Sequence, residues 1–151
     1  RIRWVGAALG ECGSLGQNYC GPAVANSTGF PALIRARGSD HVGDNDLQLD
    51  VEQLPPNSFG YCLASKTQGF VMSPGTSVGN ICLGGTIGRF VQQAQNSGAS
   101  GTFSVAVDLA NMPSPLSSVM VGETWNFQAW FRDANPNTTS NFTDGYTVVF
   151  E

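Results

Sequence analysis

Between Thr102 and Leu109, and again between Thr124 and Arg132, the side chains alternate with a period of two. In the first stretch Phe103, Val105, Val107 and Leu109 point one way, and Thr102, Ser104, Ala106 and Asp108 the other. In the second, Trp125, Phe127, Ala129 and Phe131 share one side, and Thr124, Asn126, Gln128, Trp130 and Arg132 the opposite one. A repeat of two belongs to the β-strand, so each stretch predicts a strand with one face in a core. Leu47, Leu49 and Val51 repeat the pattern, as do Tyr146, Val148 and Phe150. Phe59, Tyr61 and Leu63 do so with Cys62 on the opposite face, and Tyr61 is expected in the core. Ala32–Arg37, Ile81–Leu83 and Ile87–Val91 read as shorter strands, the last two separated by Gly84-Gly85. Pro55-Pro56-Asn57, Pro74-Gly75 and the loop Asn96–Gly101 punctuate them. The single helical candidate, Val91–Gln95, is too short to be stable by itself. Roughly seven to nine short strands with no helical period predict an all-β chain. Two antiparallel sheets packed face to face as a β-sandwich fit best, with a jelly roll as the neighbouring arrangement.

The chain has 151 residues, one domain's length. Charged residues are only 12% of it, so its solubility rests on hydroxyls and amides. Seven Lys and Arg face 11 Asp and Glu, and Lys66 is the one lysine. No basic run is available to hold a phosphate backbone, which argues against nucleic acid. No stretch of apolar residues is long enough for a transmembrane helix. The chain opens at Arg1 rather than Met, as a processed protein or an excised domain would.

Cys12, Cys20, Cys62 and Cys82 lack C-x-x-C spacing, and one histidine cannot complete a mixed zinc site. Two disulfides are expected instead, and with them an oxidising compartment, secreted or at the cell surface. Three pairings are open. One of them, Cys12 with Cys20, would close a small N-terminal loop and leave Cys62 to staple an excursion to Cys82.

Catalytic patterns are weak. Gly75-Thr76-Ser77-Val78-Gly79 fits the nucleophile-elbow pattern, but Pro74 precedes it and Ile81-Cys82-Leu83 leaves no room for the helix that must follow. His41, the lone histidine, reads as a loop residue. Glu123 and Asp133 flank the Trp-rich strand and would lie roughly 30 Å apart on a straight strand, too far for either glycosidase arrangement. Glu11 and Glu52 have no clear acid partner. No catalytic residue is assigned, and the expectation is a non-catalytic domain.

For binding, Asp40, Asp44, Asp46 and Asp50 crowd into one turn-rich stretch, where hard oxygen ligands would suit Ca²⁺. The competing expectation is an Asx turn leading into the Leu47 strand. The loop Asp133–Asp144 is a second oxygen-rich candidate. Trp130, displayed with Asn126, Gln128 and Arg132, has the makings of a sugar-binding surface: a ring to stack on a pyranose, with polar groups for its hydroxyls. The competing expectation is packing, with Arg132 stacked on the indole. Asn26-Ser27-Thr28, Asn137-Thr138-Thr139 and Asn141-Phe142-Thr143 are N-glycosylation patterns and suggest exposed loops.

Several longer strings are distinctive when taken together. They are Asn18-Tyr19-Cys20-Gly21-Pro22-Ala23, Leu54-Pro55-Pro56-Asn57, Phe59-Gly60-Tyr61, Gln68-Gly69-Phe70, Cys82-Leu83-Gly84-Gly85, Ile87-Gly88-Arg89 and Gly122-Glu123-Thr124-Trp125-Asn126-Phe127 through Asp133. With Thr139–Gly145 they resemble a β-domain that recurs near the C-terminal end of large exported proteins of planctomycetes and related marine or predatory bacteria. The resemblance spans residues 18 to 151 and leaves 1–17 as an N-terminal segment or linker. It implies an appended module with no settled activity, and Cys20–Cys82 as its shared disulfide. Cys62 stands where that family more often carries an aromatic or aliphatic residue, so Cys12 is expected to bridge Cys62 and tie the N-terminal segment to the fold. The overall expectation is a secreted accessory module that holds its parent protein to a polysaccharide or cell-envelope glycan. The alternative is a structural or interaction domain that spaces, caps or sorts a neighbouring domain.

Overall fold

The computed structural model describes residues 15–134 and 136–151. Ten strands follow one another: β1 Gln17–Tyr19, β2 Leu33–Gly38, β3 Leu47–Glu52, β4 Phe59–Met72, β5 Asn80–Arg89, β6 Gln95–Asn96, β7 Phe103–Val107, β8 Thr124–Ala134, β9 Thr138–Phe142 and β10 Gly145–Val149. They form two antiparallel sheets. The smaller has the order β2-β3-β7. The larger has seven strands, β1-β10-β8-β4-β5, with β6 against β4 and β9 against β8. This is the expected disulfide-stapled sandwich.

The alternation explains the packing. Ile34, Ala36, Leu47, Leu49, Val51, Phe103, Val105 and Val107 from the small sheet meet Cys62, Ala64, Trp125, Phe127, Ala129, Phe131, Tyr146 and Val148 from the large one in a single core. Trp125, Phe127 and Phe131 are almost completely buried there, each excluding enough apolar surface to stabilise the fold by about 2–3 kcal/mol. The small sheet's other face is wet: Arg35 pairs with Glu52, and Arg37 with Asp50. The β7 edge is closed by side chains, for Gln95 and Gln93 donate to the Ser104 and Ala106 carbonyls. Amides there occupy acceptors that a foreign strand would otherwise use.

Three elements depart from the sequence expectation. β4 and β5 are long and continuous, with Gly84-Gly85 inside β5 rather than between two strands. β9 lies where a loop was expected and forms a hairpin with β8, pairing Trp130 with Phe142 and Ala134 with Thr138. Val91–Gln93 is a single 3₁₀ turn. At the described end of the segment expected to be tied to the fold, Leu15 bridges Ala36 and β1 starts at Gln17.

Register shifts in β4 between Ser65 and Thr67, and between Gln68 and Val71, bend the β4–β5 hairpin. Its distal half arches over the outer face of the large sheet. Val78 N–H and the Ser77 hydroxyl donate to the Ser140 carbonyl, at 3.0 and 2.9 Å. Cys82 N–H donates to Gln128 Oε1 at 2.8 Å. The Cys20–Cys82 disulfide and a 2.8 Å bond from the Tyr19 hydroxyl to the Cys82 carbonyl fasten the arch to the end of β1. Beneath it Leu63, Leu83 and Phe142 form a second, smaller core.

Cys62 is a free thiol, fully buried, with burial pushing its pKa far up. The expected bridge to Cys12 is therefore corrected at the Cys62 end. That side chain points into the main core between the sheets, where it packs as a small apolar group; Cys12 itself lies outside the described residues.

Candidate functional site

β8 carries Asn126, Gln128, Trp130 and Arg132 in a row on its outer face, and the structure divides that row in two. Asn126 and Gln128 are buried. Asn126 donates to the Ser65 carbonyl and accepts from Gln68. Gln128 accepts from Cys82 N–H and donates to the Asn80 and Thr143 carbonyls, at 2.9 and 2.7 Å. Their assignment as ligand-binding amides is thus corrected. The hairpin covers them, and their amides satisfy backbone groups that would otherwise be buried without partners.

The other half of the row is only partly covered: Trp130 packs beside the smaller core with Arg132 over its ring, as the packing expectation has it, while Arg132 itself is exposed. Trp130 is partly buried against Tyr61, ring centroids 5.1 Å apart and tilted by 30°. Tyr61 is likewise partly buried, in the small cluster rather than the main core. The exposed Arg132 guanidinium lies over the Trp130 ring, 5.3 Å from its centroid. Phe59, from the same face of β4, is 58% exposed, enough to offer one ring face to a ligand. It lines a shallow groove of about 410 Å³ together with Arg132, Asp133, Ser27, Pro55 and Pro56. Phe59 was not singled out from sequence, although its place in the Phe59-Tyr61-Leu63 alternation held the signal. Asp133 is buried at the groove's base, accepting from Ser27 N–H and Ala134 N–H.

The calcium expectation finds no geometric support, because no three of the four acids come together among the described residues. Asp44 accepts from the Ser39 hydroxyl at 2.6 Å. Asp50 takes Arg37 and the Ser104 hydroxyl on the small sheet's wet face. Asp40 turns instead toward His41 and Glu151, the one trio of potential ligands found together among the described residues. Asp46 belongs to no such group. In the second loop Asp133 and Asp144 are engaged separately. Asp144 accepts from Ile34 N–H and Asn18 Nδ2, joining β2 to β1, and burial raises its pKa to about 6.

Ser77 is a turn residue with its hydroxyl engaged at Ser140 and Gly79, and β5 rather than a helix follows it. Glu123 accepts from Met120 N–H and from Trp125 Nε1 and pairs with Lys66, contacts that hold its carboxyl below the usual range. Glu52 is held by Arg35, and Glu11 lies outside the described residues. Of the three glycosylation patterns, Asn137 is exposed, whereas Asn26 and Asn141 are buried and bonded to the Gln53 and Val24 carbonyls. The expectation that all three mark exposed loops is corrected accordingly. No helix among the described residues is long and apolar enough to cross a membrane. Comparison with family models, with curated proteins and with solved structures returns no match.

Proposed function

We propose that this domain is a non-catalytic module of an exported protein, and that it binds glycan through the open end of the β8 outer face. The observation that carries this reading is the row Tyr61–Trp130–Arg132 running into a groove edged by the exposed Phe59. Aromatic rings stack on the apolar faces of sugars, and planar donors beside them serve hydroxyls. The site is shallow, so the affinity is modest and suited to many weak attachments along a polymer. The Cys20–Cys82 bridge supports export, since such bonds persist in oxidising compartments. The resemblance to appended domains of large exported bacterial proteins points the same way.

A glycan array with wild type, Phe59→Ala and Trp130→Ala tests the reading. Binding by wild type that both variants weaken is expected; a blank array for wild type removes it. A second reading, docking onto a neighbouring domain, is favoured by Phe70, Val71 and Met72, which are 58, 52 and 71% exposed at the hairpin's far end. That patch lies away from the groove residues in sequence, and its substitution leaves glycan binding unchanged if the first reading holds.

A further inference from the structure

Resting on that reading, we infer that the groove selects anionic sugars, and that Arg132 receives their carboxylate or sulfate. Most of the basic side chains in the described residues are already committed. Arg35 pairs with Glu52, Arg37 with Asp50 and Lys66 with Glu123. Among the described residues, Arg132 and Arg89 have no carboxylate within ion-pair distance. Arg89 shares its pocket with Asp108, whose carboxyl is held below the usual range by Asn111 and Asn45 and so stays negative. Asp108 is exposed to that pocket, unlike the buried Asp133 beside Arg132, and meets a second anion directly with repulsion.

Arg132 differs on three counts. The carboxylate lining its groove, Asp133, is buried and bonded to the Ser27 and Ala134 amides. The guanidinium is exposed and lies against Trp130. A guanidinium over a ring keeps its N–H donors in its own plane, where they match an oxyanion with two parallel bonds. Phe59 on the same groove offers a ring for the sugar that carries the anion. The chain's net charge of −4 opposes indiscriminate polyanion binding, so any preference for anions has to be local.

The test uses two pairs of polymers that differ only in charge: polygalacturonate with its full methyl ester, and dextran sulfate with dextran. Binding of wild type, Arg132→Gln and Phe59→Ala is measured by affinity electrophoresis at low and high salt. In at least one pair the charged member is expected to bind wild type about tenfold more tightly, the difference shrinking with salt. The pair that responds distinguishes carboxylate from sulfate. Arg132→Gln is expected to abolish the difference with its melting temperature unchanged, while Phe59→Ala weakens charged and neutral members alike.

Equal binding within both pairs, or a preference that survives Arg132→Gln, overturns the inference. If that equal binding falls in Phe59→Ala, the glycan reading survives without the charge preference. No binding to any of the four, with an array positive for neutral sugars, likewise overturns the preference alone. A blank array overturns both.

Discussion

The inner face of β8 meets the opposite sheet through Trp125, Phe127, Ala129 and Phe131, whereas its outer face is split between a covered half and a less covered one. Both faces follow the same two-residue period. The inner one is sealed by apolar contact, which needs only complementary volume. The covered outer half, around Asn126 and Gln128, is sealed by amides that meet backbone groups of the overlying hairpin. The less covered half, from the partly buried Trp130 to the exposed Arg132, is the part proposed to meet a ligand. Alternation therefore assigns polarity to a face, while exposure is decided by whether another segment folds over it.

The largest expected effect contrasts the two interiors. Phe127→Ala leaves a cavity in the main core and costs about 3–5 kcal/mol in urea unfolding, while Trp130→Ala, on a partly open surface, costs less than half as much. Equal costs would erase the distinction between core and platform. Next, replacing Cys20 and Cys82 together by Ser releases a link across 62 residues of sequence. The expected loss is up to about 4 kcal/mol, read as a lower denaturation midpoint. Faster amide exchange in residues 76–84 than at Phe127 should accompany it, and uniform exchange would show that the arch is not a separate unit.

Gln128→Ala sharpens the covered half. It strands Cys82 N–H and the Asn80 and Thr143 carbonyls, for about 2–3 kcal/mol in the same unfolding assay. A neutral outcome would mean that water replaces the amide and that this half is open after all. The smallest effect depends on pH. Asp144 has a folded pKa of about 6, raised by burial above the ordinary 3.8. Its contribution is fully present below about pH 4 and lost as the pH rises through 6. Wild type should lose roughly 1–2 kcal/mol more than Asp144→Asn between pH 4 and pH 7, a figure reduced for solvent screening. Parallel pH profiles would contradict that account.

The sandwich was legible because Thr102–Leu109, Thr124–Arg132 and Tyr146–Phe150 each hold one unbroken period. β9 was not, since Thr138-Thr139-Ser140-Asn141 reads as turn chemistry. It becomes a strand because β8 runs on to Ala134 and offers an edge to pair with. The length of β4 was hidden in the same way, as its bulges break the alternation just where the hairpin bends. Asn26 and Asn141 looked like loop residues, yet each is buried because its amide holds a distant carbonyl. At the site, Trp130 and Arg132 were readable from β8 alone. Phe59 required the pairing of β4 with β8, which no local pattern specifies.

The division of the β8 outer face can be followed directly by a two-dimensional NMR titration with a short oligosaccharide of whichever glycan binds the wild type most tightly. Progressive shifts centred on Phe59, Tyr61, Trp130 and Arg132, with the side-chain amides of Asn126 and Gln128 unmoved, are the expected result. Shifts centred on those two amides, or on the pocket around Arg89, or none at all, would contradict it.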